Sequence, residues 1–255
     1  LSRPQGLFQA DTPLTTAETA SVFGEQLVFQ ALKAAAPPEE RLALLCEKLE
    51  SAFATVFRQI AMNRFEAGVH SHRRTQGELA VDDFNRIWHD TQHDMLGDSV
   101  EITDGYRTWW SYIPHFIHTP GYVYAYAYGQ LLALSVYARY EDEGESFVPQ
   151  YLALLRAGGS MAPEDLGRIV GVDLADPGFW DGGLDIIERR LEETIAAADA
   201  VTTGNPPGTS TSNSTMFFHS RAHRCALEAS GLQEGMRVLE VATGSGEMFR
   251  RLVRA

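Results

Sequence analysis

The sequence predicts a mostly α-helical chain that ends, after a linker, in the short start of an α/β, Rossmann-like unit. Three observations carry this reading. Apolar residues recur at three- and four-residue spacing through most of the first 200 positions. No pair of alternating apolar runs flanks a tight-turn dipeptide there, so no hairpin is expected. From Thr202 to Thr215 the run TTGNPPGTSTSNST offers nothing apolar to bury, and a short apolar strand with a glycine-rich turn follows it.

The helices follow in order. Thr15 to Ala36 carries Val22, Phe23, Leu27, Val28, Ala31 and Leu32 at helical spacing, with Thr15 three residues before Glu18 as a capping signal. Pro37 and Pro38 end it and open a second helix to about Val69, through Leu42, Leu45, Leu49, Phe53, Val56, Phe57 and Ile60. Val81 to Leu96 is a third, with Phe84, Ile87 and Trp88 inward, closed by Met95-Leu-Gly-Asp98. Trp109 to Pro120 is aromatic without a period. Tyr122, Tyr124, Tyr126 and Tyr128 alternate as in a half-buried strand. Yet the segment runs on to Tyr140, and Thr119 and Pro120 stand at good first-turn positions. Length and capping favour a helix. Phe147 to Ala157, Pro163 to Val170 and Phe179 to Ala198 complete the helical part. The expected organisation is residues 1–200 as one region, 201–215 as a linker and 216–255 as the start of another domain.

Composition narrows the function classes. The chain has 255 residues, is 44% hydrophobic and 22% charged, and so has the material for a packed core. Its formal net charge of -13 argues against nucleic acid as a partner, because phosphate binding needs clustered Lys and Arg. No apolar run reaches the ~18 residues of a membrane span, and no leader peptide is visible. Cys46 and Cys225 lie far apart and outside any metal-ligand spacing, so a reduced, cytoplasmic setting is expected. The chain begins at Leu1 and breaks off inside a motif, which reads as a fragment at both ends.

Glu18 and Glu25 are seven residues apart and share one helix face, two turns apart, with Val22. Carboxylates on an otherwise apolar helix need partners, and a metal is one. An exposed or salt-bridged pair is the plain alternative. His89-Asp-Thr-Gln-His93 has the i, i+4 spacing that holds zinc on a helix. However, Asp90 stands where a general-base Glu would be, and surface histidines are the expected reading.

Five stretches of the chain carry a resemblance. They are ADTPLTTAETASVFGE (Ala10 to Glu25), FRQIAMNRFE (Phe57 to Glu66), GDSV (Gly97 to Val100), WWSYIPHF (Trp109 to Phe116) and YVYAYAYG (Tyr122 to Gly129). In this order they resemble the oligoendopeptidase F and thimet oligopeptidase family of zinc peptidases, over nearly 200 residues. The resemblance implies the helical C-terminal region of a zincin-type oligopeptidase acting on short peptides. It implies Glu18 as the third zinc ligand and Glu25 as a group that orients a ligating His. It also implies His115, Tyr122 and Tyr126 as donors to the oxyanion formed when water attacks the scissile carbonyl, with His118 a rival for His115. Tyr124 and Tyr128 are as readily packing residues, and Trp109 and Trp110 are read as core. The family's HExxH helix, with two ligand histidines and the general base, occurs nowhere in the sequence and is expected upstream of Leu1.

Val238-Leu-Glu-Val-Ala-Thr-Gly-Ser-Gly246 resembles motif I of class I S-adenosylmethionine-dependent methyltransferases, with Glu240, Gly244 and Gly246 at the matching positions. A nucleotide-binding Rossmann start fits less well, since Phe249 stands at the last glycine of G-x-G-x-x-G. The sequence therefore leaves three functions: zinc metalloendopeptidase, methyl transfer by a fused domain, or an inert helical remnant.

Overall fold

The computed structural model describes residues 5–6 and 18–203. Of the expected linker, residues 201–203 are described and belong to a helix, while the rest of it and the calls on Glu240, Gly244 and Gly246 lie outside the described residues. The described residues are helical with no strand. Their long helices are α1 (Thr19–Ala35), α2 (Pro38–Ala52), α3 (Arg58–Thr75), α4 (Val81–Leu96), α6 (Tyr124–Glu143), α7 (Val148–Ala157) and α9 (Pro177–Thr203); α5 (His115–His118) and α8 (Pro163–Ile169) are short. None is long and apolar enough to cross a membrane. Two compact units share them. One takes residues before 46 and after 127; the other holds residues 46–127.

In the first unit α1 buries the stripe Thr19, Val22, Phe23, Gln26 and Phe29. That is one face at helical spacing. Phe23 is its centre. Its ring stacks on Tyr151 at 4.1 Å and meets Tyr137 and Tyr140 edge-on at 5.4 and 5.7 Å. Further along, Arg190 Nη2 donates to Gln26 Oε1 at 2.8 Å, and Lys33 pairs with Glu193 at 2.7 Å, so α9 is tied to α1 at two levels. Residues Leu132 to Tyr137 of α6 are all buried, as expected of a helix apolar on every side. Arg139 donates to the carbonyls of Val170 and Gly171 just past α8. Those acceptors would otherwise be left without partners at a helix end.

The second unit is built on α3 and α4. Met62, Phe65, Trp88, Tyr106, Ile113 and Val123 form its core. Phe65 meets Trp88 edge-on at 5.3 Å and Phe116 at 5.0 Å. Gly68 lets α4 close in: a Cβ there would stand 2.9 Å from Ile87 Cγ2. The Asp83 carboxylate accepts the Ala80 backbone N–H at 3.0 Å, closing the first turn of α4. That bond and the neighbouring Arg86 hold its pKa below the ordinary carboxylate value.

Several boundaries differ from the sequence reading. The described part of α1 starts at Thr19 with Glu18 as its N-cap, and Thr15 lies outside the described residues. Glu18 and Glu25 are exposed, beside the buried stripe that takes Val22. The second predicted helix passes through a π turn at Phe53–Phe57 and continues to Thr75, because nothing in Ala67 to Arg74 breaks it. Pro120 does not open α6. Gly121 adopts φ +75°, outside the helical region, and the helix begins only at Tyr124. α9 runs to Thr203, past the expected end at Ala198 and into the first residues of the expected linker.

Gly182 and Gly183 of α9 give a stability test. A Cβ on Gly183 would stand 2.9 Å from the Leu131 carbonyl oxygen and 3.0 Å from Ser135 Oγ, whereas at Gly182 the nearest atom is Ser135 Oγ at 3.9 Å. Gly183→Ala is expected to destabilise by about 1–3 kcal/mol through overpacking against backbone. Gly182→Ala should stabilise by about 0.5–1 kcal/mol through helix propensity. Urea unfolding of the two variants checks this, and equal shifts would refute it.

Candidate active site

The carboxylates on α1 come first. Glu18 sits exposed at the N-terminus of α1, where the helix dipole favours negative charge. The Ser21 hydroxyl lies 3.0 Å from both its Oε2 and its carbonyl oxygen, and one hydrogen serves either. Glu25 is exposed on the same side. Arg190 is 3% exposed beside this helix, with its guanidinium 5.0 Å from the Phe29 ring centre. Burial lowers its pKa, and the charges of Glu193 and Glu25 act against that. A buried guanidinium thus ties α9 to α1 through Gln26. Neither Gln26 nor Arg190 was foreseen. A glutamine at i+7 from Thr19 on a buried stripe was the available signal.

The second group lies within residues 46–127. His115 opens the short α5, and Tyr122 and Tyr126 flank the start of α6. His115 Nε2 lies 3.1 Å from the Tyr126 hydroxyl. The Tyr122 ring is 6.3 Å from the His115 ring in near-parallel stacking and 5.1 Å from the Tyr126 ring edge-on. All three side chains are half-buried. The structure therefore brings together the His and the two Tyr residues that the sequence singled out. His118 is exposed, with no hydrogen bond or ring contact to either tyrosine among the described residues. Tyr124 is 43% exposed and stands outside the group. In its own unit, Tyr128 packs on Trp180 at 4.8 Å.

The aromatic segment before α5 fixes this group. Trp88 Nε1 donates to the Tyr106 carbonyl at 3.1 Å, and the Tyr106 hydroxyl donates to Gln92 at 3.3 Å. Trp110 stacks on Phe84 at 4.7 Å and donates to Asn85 at 2.9 Å. Trp109 and Trp110 are half-buried against the core, in keeping with a packing role. Gly121, just before Tyr122, donates its N–H to Glu66 Oε1. Glu66 is a buried carboxylate within FRQIAMNRFE that the sequence reading passed over. An acidic residue next to Phe65 on an apolar stripe was its only mark.

As to metal, zinc accepts carboxylate oxygen and imidazole nitrogen. Glu18 offers a suitable carboxylate. Among the described residues, however, no group of three His, Cys, Asp or Glu stands close enough to hold an ion. His89 and His93 have rings 6.2 Å apart, His93 is exposed, and the nearest charge to His89 is Asp90 at 3.6 Å, so they read as surface histidines.

The sequence pattern of peptidase family M3 matches residues 2–186. The chain belongs to that family. Oligopeptidase PepF of Bacillus subtilis is 32% identical over 178 residues, which cover 69% of this chain and 26% of that protein. The chromosomal oligoendopeptidase F of Lactococcus lactis subsp. cremoris is 30% identical over 72% of this chain and 30% of its own length. Among solved structures, oligoendopeptidase-F from Enterococcus faecium superposes with a TM-score of 0.64 and 26% identity, over 74% of this chain and 36% of that one. A structure from Chlamydophila abortus gives 0.70 at 26% identity, over 76% and 33%. The chain thus spans between a quarter and about a third of the length of these relatives.

Tyr151, which props Phe23 of α1, supplies a pH test. Burial pushes its pKa up to about 12, whereas an unfolded tyrosine titrates near ~10. The folded state holds this proton more tightly. Its contribution is fully present below pH ~10 and is lost as pH rises toward about 12. The melting temperature should fall more steeply above pH ~10 in the native protein than in Tyr151→Phe. Parallel curves would refute it.

Proposed function

We propose that this chain supplies part of the catalytic machinery of a zinc-dependent oligopeptidase that hydrolyses short peptides. The observation that carries the reading is the His115–Tyr126 contact at 3.1 Å with Tyr122 stacked alongside, within a chain of family M3. Because the chain spans only part of its relatives, the activity is proposed for the whole protein.

Glu18 is the proposed ligand, with Glu25 behind it, in a set completed by residues outside those described. Zinc, when bound, supplies a Lewis acid that polarises the scissile carbonyl and acidifies water. The tyrosines and His115 have a separate task. As water adds to the carbonyl carbon, the carbonyl oxygen gains negative charge and needs donors already aimed at it. Tyr and His suit this because they donate without adding a negative charge of their own.

The contact between His115 and Tyr126 sets which group can donate. With the proton on Nε2, His115 donates to the Tyr126 oxygen, and the phenolic hydrogen is free to turn toward substrate. With Nε2 bare, Tyr126 spends that hydrogen on the imidazole. The proposal requires the first tautomer, in which His115 spends its N–H on orienting Tyr126 and the tyrosine hydroxyls face the oxyanion. Tyr122 then adds a second phenol beside the same ring. Donors of this kind contribute about 3 kcal/mol each. The S-adenosylmethionine reading of Glu240, Gly244 and Gly246 stands on the sequence pattern alone, and peptide hydrolysis does not draw on it.

Two substitutions in the full-length protein test the reading. Glu18→Gln should abolish zinc retention measured by metal analysis, and unchanged zinc would remove it from the ligand set. Tyr126→Phe should lower kcat on a short fluorogenic peptide about tenfold or more, with zinc content unchanged. Native turnover in that variant would return Tyr126 to packing.

A further inference from the structure

Glu66 is a carboxylate where a carboxylate is costly. It lies on α3 next to Phe65, 5% exposed, within the apolar core of its unit. A buried charge needs strong partners to be tolerated. One of its oxygens has such a partner: the backbone N–H of Gly121 donates to Oε1 at 2.5 Å, across 55 residues of sequence. The other oxygen, Oε2, has no hydrogen-bond partner among the described residues.

The place where this bond lands matters. Thr119 N–H is already bonded to the His115 carbonyl, and the Tyr122 carbonyl receives the N–H of Ala125 at the start of α6. Gly121 stands between these two short hydrogen-bonded turns. It sits at φ +75°, a conformation a side chain would strain, and a Cβ there would meet nothing within 4 Å. Its glycine is therefore required by the backbone and not by crowding. The chain direction changes at this residue, between His115 on α5 and Tyr122 and Tyr126 at α6. The charge-assisted bond to Glu66 holds the peptide plane at that change of direction.

We propose that Glu66 is a positioning residue that latches Gly121, and through it sets the placement of Tyr122 against the His115–Tyr126 pair. The inference rests on the reading of Tyr122 and Tyr126 as oxyanion donors, with His115 orienting Tyr126. Glu66 hydrogen-bonds to none of those side chains. It acts on the turn that delivers Tyr122, and small displacements of a catalytic donor carry large losses in rate.

The test uses the full-length protein. Glu66→Gln keeps the shape and one acceptor oxygen but loses the charge. Glu66→Ala removes the latch, and Gly121→Ala strains it from the other end. Hydrogen exchange at the Gly121 amide, followed by mass spectrometry or NMR, should quicken in Glu66→Gln and further in Glu66→Ala. Unchanged exchange in Glu66→Gln would overturn the latch whatever the protein catalyses. On a short fluorogenic peptide, kcat should fall about tenfold in Glu66→Ala and less in Glu66→Gln, with KM and zinc content close to native. Combining Glu66→Gln with Gly121→Ala should cost less than the sum of the two single losses, because both act through one turn. Additive losses, or quickened exchange with native kcat, would overturn the positioning role. If Tyr126→Phe loses turnover while Glu66→Gln does not, this inference fails and the oxyanion reading stands. If Gly121 exchange quickens while Tyr126→Phe is neutral, the oxyanion reading fails and with it the role assigned to the latch.

Discussion

The second unit depends on the edge-to-face contact of Phe65 and Trp88. These rings, 5.3 Å apart, join α3 to α4 at the centre of the core. The segment from Gly97 to Val123 has only single turns of helix and no ladder to hold it. It keeps its path because its aromatic residues return to those two rings. Trp88 spends its indole N–H on the Tyr106 carbonyl, and Phe116 packs on Phe65. Aromatic side chains suit the task because each combines a large buried area with a directed polar or quadrupolar contact. Candidate donors carried on α5 and at the head of α6 thus inherit their positions from a hydrophobic core.

How much of this the sequence disclosed depends on the range of the interaction. Val81 to Leu96 was readable to the residue, because an apolar stripe and a glycine stop act within the helix itself. The helical state of the tyrosine run was readable from its length. Its start was not, since Pro120 looks like a first-turn proline until the long-range bond from Gly121 to Glu66 is known. The same holds for α1. Periodicity gave the buried stripe, but the exposure of Glu18 and Glu25 depends on which side α6, α7 and α9 occupy. His115, Tyr122 and Tyr126 came from a resemblance to relatives, and no spacing rule would have put a histidine eleven residues ahead of its tyrosine partner.

Polar anchors inside the apolar packing share one logic. Gln26 with Arg190 and Glu66 with Gly121 each join segments distant in sequence by a group that is expensive to bury. An apolar contact tolerates sliding by a residue or rotation by tens of degrees. A buried charge does not, because losing its one partner leaves an unsatisfied ion in a medium that penalises it heavily. Such anchors add little net stability, yet they exclude neighbouring registers. The apolar stripes decide that α1 and the α5–α6 turn are packed, and the buried Arg and Glu decide in which register. Candidate side chains carried beside those anchors, Glu25 near Arg190 and Tyr122 next to Gly121, then have fixed positions without themselves being buried.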